Sequence, residues 1–388
     1  MEKTIRLFDS EPYNTRFSAT VLACECVGEA YEIVLDRTLF FPEEGGQSAD
    51  TGTLEATLVT GVIEREGIIY HRVGTALPVG VTVRGEIDFA SRFRKMQNHT
   101  GEHILSALAH TLFGLRNVGF HLGQQDVTAD FDAELSDEQL LKMETRANEI
   151  VAECHPVRGY YPDAATLSTM EYRAKLALTE NVRIVEIEGV DLCACCAPHV
   201  ASTGEIGMIK ILSHERYKGG TRVHFVCGYD ALDAYRADLT QIKQISRALS
   251  VKTCEVAEGV SRLQGECEQL RMALAAANRE LIAIKIESIP QTEGNLCLFE
   301  ACDANTLRYL VNGALPKCSG ICAAFSGTDD AGYKYIIAAN GMDLRALSKE
   351  INAALSGRGG GSAQMIQGSC NATREQIEAY FAQQEKRV

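Results

Sequence analysis

Hydrophobic and polar positions alternate along the first part of the chain. Between Arg6 and about Glu86, short alternating stretches are separated by glycines and acidic turns; they read SATVLAC, AYEIVL, TGTLEATLV, GIIYHRV and VTVRGEI. This alternation predicts β-strands, and a succession of short strands is typical of a small barrel or sandwich. We therefore predict an N-terminal small β-barrel domain over residues 1–89.

From Ser91 the apolar spacing becomes helical, in a run that ends at Phe113-Gly114. The apolar positions of this run are Met96, Ile104, Leu105, Leu108 and Leu112. A mixed region follows to about Tyr229, with strand candidates VTADF, VRIVEIEG, EIGMIKIL and TRVHFVCG and a long helix over 136–154. The mixture predicts an α+β domain over residues 90–229.

Residues 230–288 have few glycines and a helical pattern, which slips near 250–254. The later stripe follows a heptad-like course through Val256, Val260, Leu263, Cys267, Leu270, Leu274 and Leu281. This pattern predicts a coiled-coil-like linker, either an antiparallel helical hairpin or an interrupted coiled coil. The alternative is that these stripes are simply buried inside one compact domain.

Strand and helix patterns alternate through residues 289–388, which predicts a C-terminal α/β domain and completes a multidomain α+β chain. Between the last two predicted helices lies SGRGGGSAQMIQGS. Its glycines allow positive φ and close backbone approach, although a flexible linker would have the same composition. The segment matches neither a P-loop nor a dinucleotide-binding fingerprint.

Composition narrows the class of protein. With 388 residues, 46% of them hydrophobic, and only 8 prolines, the chain can bury sizeable cores and should divide into two to four domains. No apolar run approaches the roughly 20 residues that span a bilayer, and the N-terminus lacks a secretory signal, which favours the cytoplasm without membrane contact. In that compartment, 14 cysteines indicate metal ligands and buried thiols rather than disulfides.

The net charge of -14 argues against a general nucleic-acid coat. A local basic track remains possible because SRFRKMQNH contains Arg92 and Lys95, and HERYKGGTRVHF contains Lys218 and Arg222. Each of these residues could equally be ordinary surface charge.

Two segments carry residues typical of metal chemistry. In NHTGEHIL, His99 and His103 share one helical face, and the spelling H-x-x-E-H fits an inverted zinc-protease signature with Glu102 as base. That hypothesis needs a downstream acidic ligand such as Glu180. The second segment, VDLCACCAPHV, offers Cys195 and His199 at the same spacing.

Two histidines, a thiolate and a third histidine would fill a tetrahedral site of zinc-preferring ligands. Cys193 and Cys196 compete with Cys195 for this role, and spacing alone does not choose among them. It also leaves open whether four residues close the site or three bind and a water completes it.

RFRKMQNHTGEHIL together with DLCACCAPHV resembles the zinc motifs of the editing domain shared by alanyl-tRNA synthetases and free-standing AlaX proteins. TLFFPEEGGQSADTG looks like the family's G-G-Q loop, TGEIGMIKILSHERYKGGTRVHFVCG like its domain ending, and GRGGGSAQMIQGS like its C-terminal glycine-rich segment. The family's usual C-G-G-T-H, however, reads here C-C-A-P-H. The arrangement of domains is similar to the long form of AlaX.

The resemblance implies a trans-editing hydrolase that deacylates Ser-tRNA(Ala), and sometimes Gly-tRNA(Ala), with one Zn²⁺ per chain. Because the chain starts directly on the barrel, we expect no aminoacylation activity. The implied ligands are His99, His103, Cys195 and His199. The resemblance implies that Gln47 contacts the aminoacyl end or the attacking water. The family pattern does not require Glu102, which we take as a second catalytic candidate, either as a general base or as a partner of the ligands; the alternative is a solvated helix glutamate. The predicted tRNA contacts are Arg92, Lys95, Lys218, Arg222, Arg358, Gly359 and Gly360.

One further interpretation of the function stays open. The chain could be a non-catalytic tRNA-binding relative with a structural zinc. Its partner would still be tRNA(Ala). Whether the chain is a hydrolase or a binding protein, the heptad stripe or the C-terminal domain could form a homodimer.

Overall fold

The computed structural model describes residues 2–123, 127–174 and 182–384. It forms two compact units, Met1–Ile242 and Lys243–Val388, and contains both helices and sheets in each, so the multidomain α+β class is confirmed. The finer division into four segments stays a prediction. Over these described ranges, no helix is long and apolar enough to cross a membrane.

The N-terminal part of the first unit contains a closed barrel of six strands, in the order β2 (Arg16–Val27), β3 (Ala30–Leu35), β7 (Ile68–Val73), β6 (Thr57–Arg65), β5 (Gly52–Leu54) and β8 (Thr82–Ile87). Its interior is filled by the inward residues of the alternating strands, including Val21, Ile33 and Ile69, all fully buried. The other elements of this part are β1 (Ile5–Arg6), α1 (Leu7–Ser10) and β4 (Arg37–Thr38).

A long buried helix, α2 (Phe89–Phe113), follows the barrel. The Asp88 side chain accepts a hydrogen bond from the N–H of Ser91 at its start, and Gly114 ends it in the left-handed region at φ 71°. After α2 come β9 (Asn117–Leu122), β10 (Val127–Phe131), α3 (Asp137–Glu153), β11 (Val157–Tyr160), α4 (Ala164–Thr169), β12 (Ile184–Ile187), β13 (Asp191–Ala194), β14 (Ile209–Tyr217) and β15 (Gly220–Cys227).

These strands form two sheets, ordered β14-β15-β10-β9 and β11-β12-β13. The first packs on α2 and α3 around a core that includes Met96, Met143 and Phe225. Cys195 touches this core and also the barrel core. The segment that follows β13 is therefore held between two hydrophobic cores, which restricts its movement.

The chain continues into α5 (Gly228–Leu249) and α6 (Val256–Ser288), and the unit division falls inside α5. The break between the helices lies where the pattern slips, so this sequence prediction is confirmed. The apolar stripe of α6 is exposed, with Leu270 at 69% and Leu274 at 63%. The alternative that the stripe is buried in a compact domain is therefore wrong.

The rest of the second unit contains helices and one five-stranded sheet, ordered β16 (Leu296–Phe299), β17 (Ile321–Thr328), β18 (Gly332–Ala339), β20 (Met365–Cys370) and β19 (Gly357–Gly361). Within the described strands of this sheet, only β16 and β17 pair in parallel. The prediction of an α/β domain is correct in the alternation of elements but not in sheet type, because β17–β18 and β19–β20 are hairpins without a crossover helix. The α-helices of this part are α7 (Ala304–Ala314), α8 (Leu344–Ala354) and α9 (Arg374–Gln384).

Candidate metal centre

Two elements of the first unit bring together the predicted ligands. Helix α2 presents His99 and His103 one turn apart, only 3% and 2% exposed. The turn after β13 supplies Cys195 and His199. The potential ligand atoms of these four side chains all lie within 4.8 Å of one another.

Their spacing matches that of tetrahedral ligands. The Sγ of Cys195 lies 3.5 Å from Nε2 of His99 and 3.4 Å from Nε2 of His199. Around a zinc ion, bond lengths of about 2.3 Å to sulfur and 2.0 Å to nitrogen give a sulfur–nitrogen separation of about 3.5 Å. The site can therefore hold such an ion with little rearrangement.

Each histidine ring is fixed by a hydrogen bond on the side away from the cluster. The Nδ1 of His99 lies 2.8 Å from Oε1 of Gln47, that of His103 lies 3.1 Å from Oδ2 of Asp191, and that of His199 lies 3.0 Å from Oγ1 of Thr100. When Nδ1–H donates to these acceptors, each Nε2 lone pair is free to bind a metal. The Thr100 hydroxyl donates its own proton to the carbonyl of Met96 at 2.8 Å.

Asp191 is itself held by an arginine. Arg173 donates from Nε and Nη2 to the two carboxylate oxygens, both at 2.7 Å. Cys193 belongs to a second group, with Asp191 and His103, and is not part of the four-residue cluster. The structure therefore favours Cys195 over Cys193 as the sulfur ligand.

Two of the ligands are already poised to bind a metal. Burial raises the pKa of the Cys195 thiol, but His99 and a hydrogen bond with His103 outweigh this and hold it well below its usual range. Burial lowers the pKa of His199 to about 3, so its imidazole is neutral. A thiolate and a neutral imidazole are the protonation states that metal binding requires.

His103 behaves in the opposite way. Burial lowers its pKa, but Cys193 and the hydrogen bond to Asp191 raise it well above the usual range. Without a metal this ring is therefore protonated, and metal binding at Nε2 would release a proton.

Gln47 lies in the G-G-Q loop between β4 and β5 and is fully buried. Its Oε1 faces His99, while its Nε2 has no hydrogen-bond partner among the described residues. The loop itself is anchored on β9, because the N–H of Leu122 donates to the carbonyl of Gly46 at 2.7 Å. A buried amide donor without an acceptor is costly, which makes it a candidate contact for a bound molecule.

The prediction that Arg92 contacts tRNA is wrong. This side chain is fully buried, is paired with the buried Asp50 and donates to the carbonyl of Leu39 at 2.6 Å. Lys95 is half-buried, and its ammonium donates to the carbonyls of Ser48 and Ala49 at 3.2 and 2.5 Å. Both residues fix the G-G-Q loop to α2, the helix that carries two ligands.

Glu102 is 2% exposed, so the alternative of a solvated glutamate is also wrong. Its Oε1 accepts hydrogen bonds from Ser106 at 2.7 Å and from Asn117 at 2.5 Å. Its Oε2 lies 4.0 Å from Nε2 of His103, beside the cluster rather than in it. The catalytic role of Glu102 stays a prediction.

The protease hypothesis loses its support at the metal cluster. The histidines of H-x-x-E-H are completed by Cys195 and His199 instead of an acidic residue. Glu180, the acid that this hypothesis used, lies outside the described residues.

The other predicted tRNA contacts are not among the four clustered side chains. Lys218 is exposed and stacks on Tyr217, whereas Arg222 is paired with Asp130 through two hydrogen bonds of 2.7 and 2.8 Å. In the second unit, Arg358, Gly359 and Gly360 belong to the exposed edge strand β19 rather than a loop.

Sequence reasoning missed residues that contact the clustered histidines or their acceptors, namely Thr100, Arg173 and Asp191. The spacing of Arg173 relative to the motifs carries no signal, since tertiary contacts bring it to Asp191 and to the carbonyl of His103. Asp191 does stand four residues before Cys195, and a carboxylate behind a histidine ligand is a common arrangement.

Comparison with known proteins supports the same class. Residues 182–224 match the threonyl and alanyl tRNA synthetase second additional domain, and residues 14–91 match tRNA synthetases class II (A). The first match covers β12, β13 and the turn that supplies Cys195 and His199. The second covers the strands of the closed barrel. The fold and the site thus define a chain related to the editing region of alanyl-tRNA synthetases.

Along nearly its whole length, the chain is a homologue of the alanyl-tRNA editing protein AlaX-L of Pyrococcus horikoshii, at 27% identity over 96% of both chains. Alanine–tRNA ligases match as well. That of Natronomonas pharaonis is 35% identical over 71% of this chain, and that of Methanopyrus kandleri is 32% identical over 74%. The chain spans about a third of the length of these ligases, 32% and 33%.

Proposed function

We propose that the chain is a trans-editing hydrolase that deacylates mischarged Ser-tRNA(Ala), with Gly-tRNA(Ala) as a second substrate. One observation carries this proposal: a His/His/Cys/His cluster, with all three rings oriented by outer hydrogen bonds, in a homologue of an alanyl-tRNA editing protein. A pocket selective for alanine rejects glycine and serine poorly, since a methyl group or a hydroxyl is worth about 1–3 kcal/mol. A separate hydrolytic site then improves fidelity.

The metal that this donor set fits is zinc, one ion per chain. Three imidazoles and a thiolate are a zinc-preferring combination. When bound, zinc would supply Lewis-acid polarisation of the ester or a water of lowered pKa.

The chain's own residues have roles beside the ion. The unpaired Nε2 of Gln47 would donate a hydrogen bond to the aminoacyl carbonyl or to the attacking water. The buried carboxylate of Glu102, oriented by Ser106 and Asn117, would take a proton from that water.

A cavity of about 610 Å³ beside these groups is the proposed aminoacyl pocket. Ser106 and Asn117, which hold Glu102, line it from one side. Arg173 and Cys193, which lie behind His103, line it from the other. The cavity is thus bordered by side chains that contact Glu102 and Asp191 rather than by the four ligands themselves, and its hydrogen-bonding groups could recognise a seryl hydroxyl.

A second candidate function is tRNA binding with a purely structural zinc. The observation that favours it is that four protein ligands lie at tetrahedral spacing, as in closed structural sites. A closed site would hold the turn after β13 in place without offering a position to water.

Deacylation assays separate these functions. We expect multiple-turnover hydrolysis of Ser-tRNA(Ala), less of Gly-tRNA(Ala) and none of Ala-tRNA(Ala), with loss of activity in a chelator. Cys195→Ala should remove both zinc and activity, whereas Glu102→Gln should keep zinc and lose activity. Hydrolysis at the uncatalysed rate by zinc-loaded protein would contradict the hydrolase and favour the binding function.

We further propose that the exposed strand β19 and Lys218 contact tRNA, and that the exposed stripe of α6 pairs with a second copy of the chain. Strand β19 carries Arg358 and presents glycine backbone without blocking side chains. The apolar stripe on α6 is of the kind that forms coiled coils.

A further inference from the structure

Arg183 is a buried arginine that forms hydrogen bonds with the turn after β13, which carries two of the four proposed ligands. It is 7% exposed and stands directly before β12. Its Nη1 donates to the carbonyl of Cys195 at 3.1 Å and to that of Ala197 at 2.9 Å. Its own carbonyl accepts the N–H of Cys195 at 3.0 Å. One residue thus fixes the turn through three hydrogen bonds.

The guanidinium of Arg183 occupies a space that a side chain at Gly159 would partly fill. A Cβ at Gly159, on the neighbouring strand β11, would lie 2.2 Å from Nη2 of Arg183. On the other side, Nε of Arg183 lies 3.8 Å from Oδ1 of Asp9, and neither atom has a hydrogen-bond partner among the described residues. The second oxygen of Asp9 accepts from the hydroxyl of Tyr161 at 2.8 Å. Arg183 is therefore placed by sterics, charge and hydrogen bonds together.

We propose that Arg183 is a positioning residue for the C-x-x-x-H half of the metal centre, with Asp9 as its charge partner and Gly159 as the clearance it needs. The inference rests on the proposed metal centre. A guanidinium is suited to the task because its planar fork reaches two carbonyls at once and keeps its charge at every physiological pH. Without it, the carbonyls of Cys195 and Ala197 lose their donors, and the thiolate and His199 are no longer held at ligand spacing.

The test measures zinc affinity rather than activity. Arg183→Gln removes the fork, whereas Gly159→Ala displaces it without altering the arginine. Arg158→Ala changes an exposed neighbour on β11 and serves as the matched control. Zinc affinity is measured by competition with a chromogenic chelator, and the ligand field by the absorption spectrum of the Co²⁺-loaded protein.

We expect Arg183→Gln and Gly159→Ala each to weaken zinc binding about 10- to 100-fold, the range typical of residues that orient metal ligands. The Co²⁺ spectrum should shift in both variants, and Arg158→Ala should bind zinc like the wild type. The double variant Gly159→Ala/Arg183→Gln should be no weaker than Arg183→Gln alone, because both changes remove one interaction.

Three results would overturn the inference: zinc affinity within twofold of wild type in folded Arg183→Gln, an unshifted Co²⁺ spectrum, or multiplicative losses in the double variant. If Arg183→Gln does not fold, Gly159→Ala alone decides, since it retains the arginine. A wild-type protein that binds no zinc would instead contradict the proposed metal centre itself, and the two failures are therefore distinguishable.

Discussion

At the scale of single residues, the metal cluster depends on acceptors that lie behind its rings. Gln47 comes from a loop after β4, Thr100 from α2 and Asp191 from β13. Each accepts from the Nδ1 of a different histidine. Three parts of the chain therefore have to pack correctly before the ligands point inward, and the ligand geometry reports on the tertiary structure.

Thr100 offers the cleanest test of this dependence. Thr100→Val keeps the side-chain volume but leaves the Nδ1–H of His199 buried without its acceptor, which costs about 1–3 kcal/mol. We expect zinc affinity to fall about 10- to 100-fold, measured by chelator competition. Thr100→Ser retains the hydroxyl and should bind zinc nearly as the wild type does. Equal affinities in the two variants would contradict the orienting role.

At this scale the sequence predicted which four side chains cluster, whereas its predictions for the charged residues failed at Arg92. His99, His103, Cys195 and His199 could be found because ligands on one helix turn or one short loop have characteristic spacings. The environment of Arg92 could not, because its partner Asp50 is 42 positions away and only tertiary packing buries the pair. An arginine near a motif therefore indicates a tRNA-binding surface only if the fold does not pair it with a buried carboxylate.

At the scale of elements, the barrel contains a histidine whose charge state matters for stability. His71 on β7 is fully buried, between Oγ1 of Thr38 at 2.8 Å and the carbonyl of Ile33 at 3.1 Å. Burial lowers its pKa to about 4. Thr38 also accepts from the N–H of Phe40, so its hydroxyl donates to Nε2 and the neutral ring donates from Nδ1.

We expect the barrel to lose stability as pH falls from about 6.5 to about 4. In this window the unfolded chain binds a proton at His71 and the folded one does not, so the free energy of unfolding decreases with falling pH. The shift of the pKa from 6.5 to about 4 corresponds to about 3 kcal/mol. Unfolding of the metal-free protein followed across this range, with NMR titration of His71, measures it. A His71 resonance that titrates near 6.5 would contradict the assignment.

The glycine-rich segment shows where pattern reasoning fails for an element. The sequence indicated a loop or a flexible linker, because glycine carries no strand preference. The structure pairs it as β19 with β20, in register from Gly357↔Cys370 to Gly361↔Ile366. The reason is close packing: a Cβ at Gly359 would lie 2.2 Å from the hydroxyl of Tyr335.

Neighbouring glycines of this strand should respond differently to the same substitution. Gly359→Ala forces the Tyr335 hydroxyl and the carbonyl of Gln367 to move, which we expect to cost about 1–3 kcal/mol of stability. At Gly360 a Cβ meets nothing within 4 Å, so Gly360→Ala should leave the melting temperature unchanged. If β19 contacts tRNA, Gly360→Ala should still weaken tRNA binding in a filter-binding assay. Equal melting temperatures for both variants would refute the packing argument.

At the scale of the whole molecule, the exposed stripe of α6 is the feature that a single chain leaves unexplained. The heptad stripe could be predicted from the sequence, because apolar residues spaced alternately three and four positions apart can be recognised without knowledge of tertiary contacts. Whether such a stripe is buried depends on what packs against it, and here Leu270, Leu274 and Leu281 are all more than 60% exposed. A row of large apolar side chains in water favours association.

We expect the protein to be a dimer at micromolar concentration, and Leu270→Glu to dissociate it. Burying a leucine stabilises by about 1.5–3 kcal/mol, and a symmetric dimer buries two, so the dissociation constant should rise more than about a hundredfold. Gln269→Glu introduces the same charge one position away, off the heptad stripe, and should leave the dimer intact. Sedimentation velocity measures both. A monomeric wild type, or equal dissociation by the two variants, would show that the stripe does not join two copies of this chain.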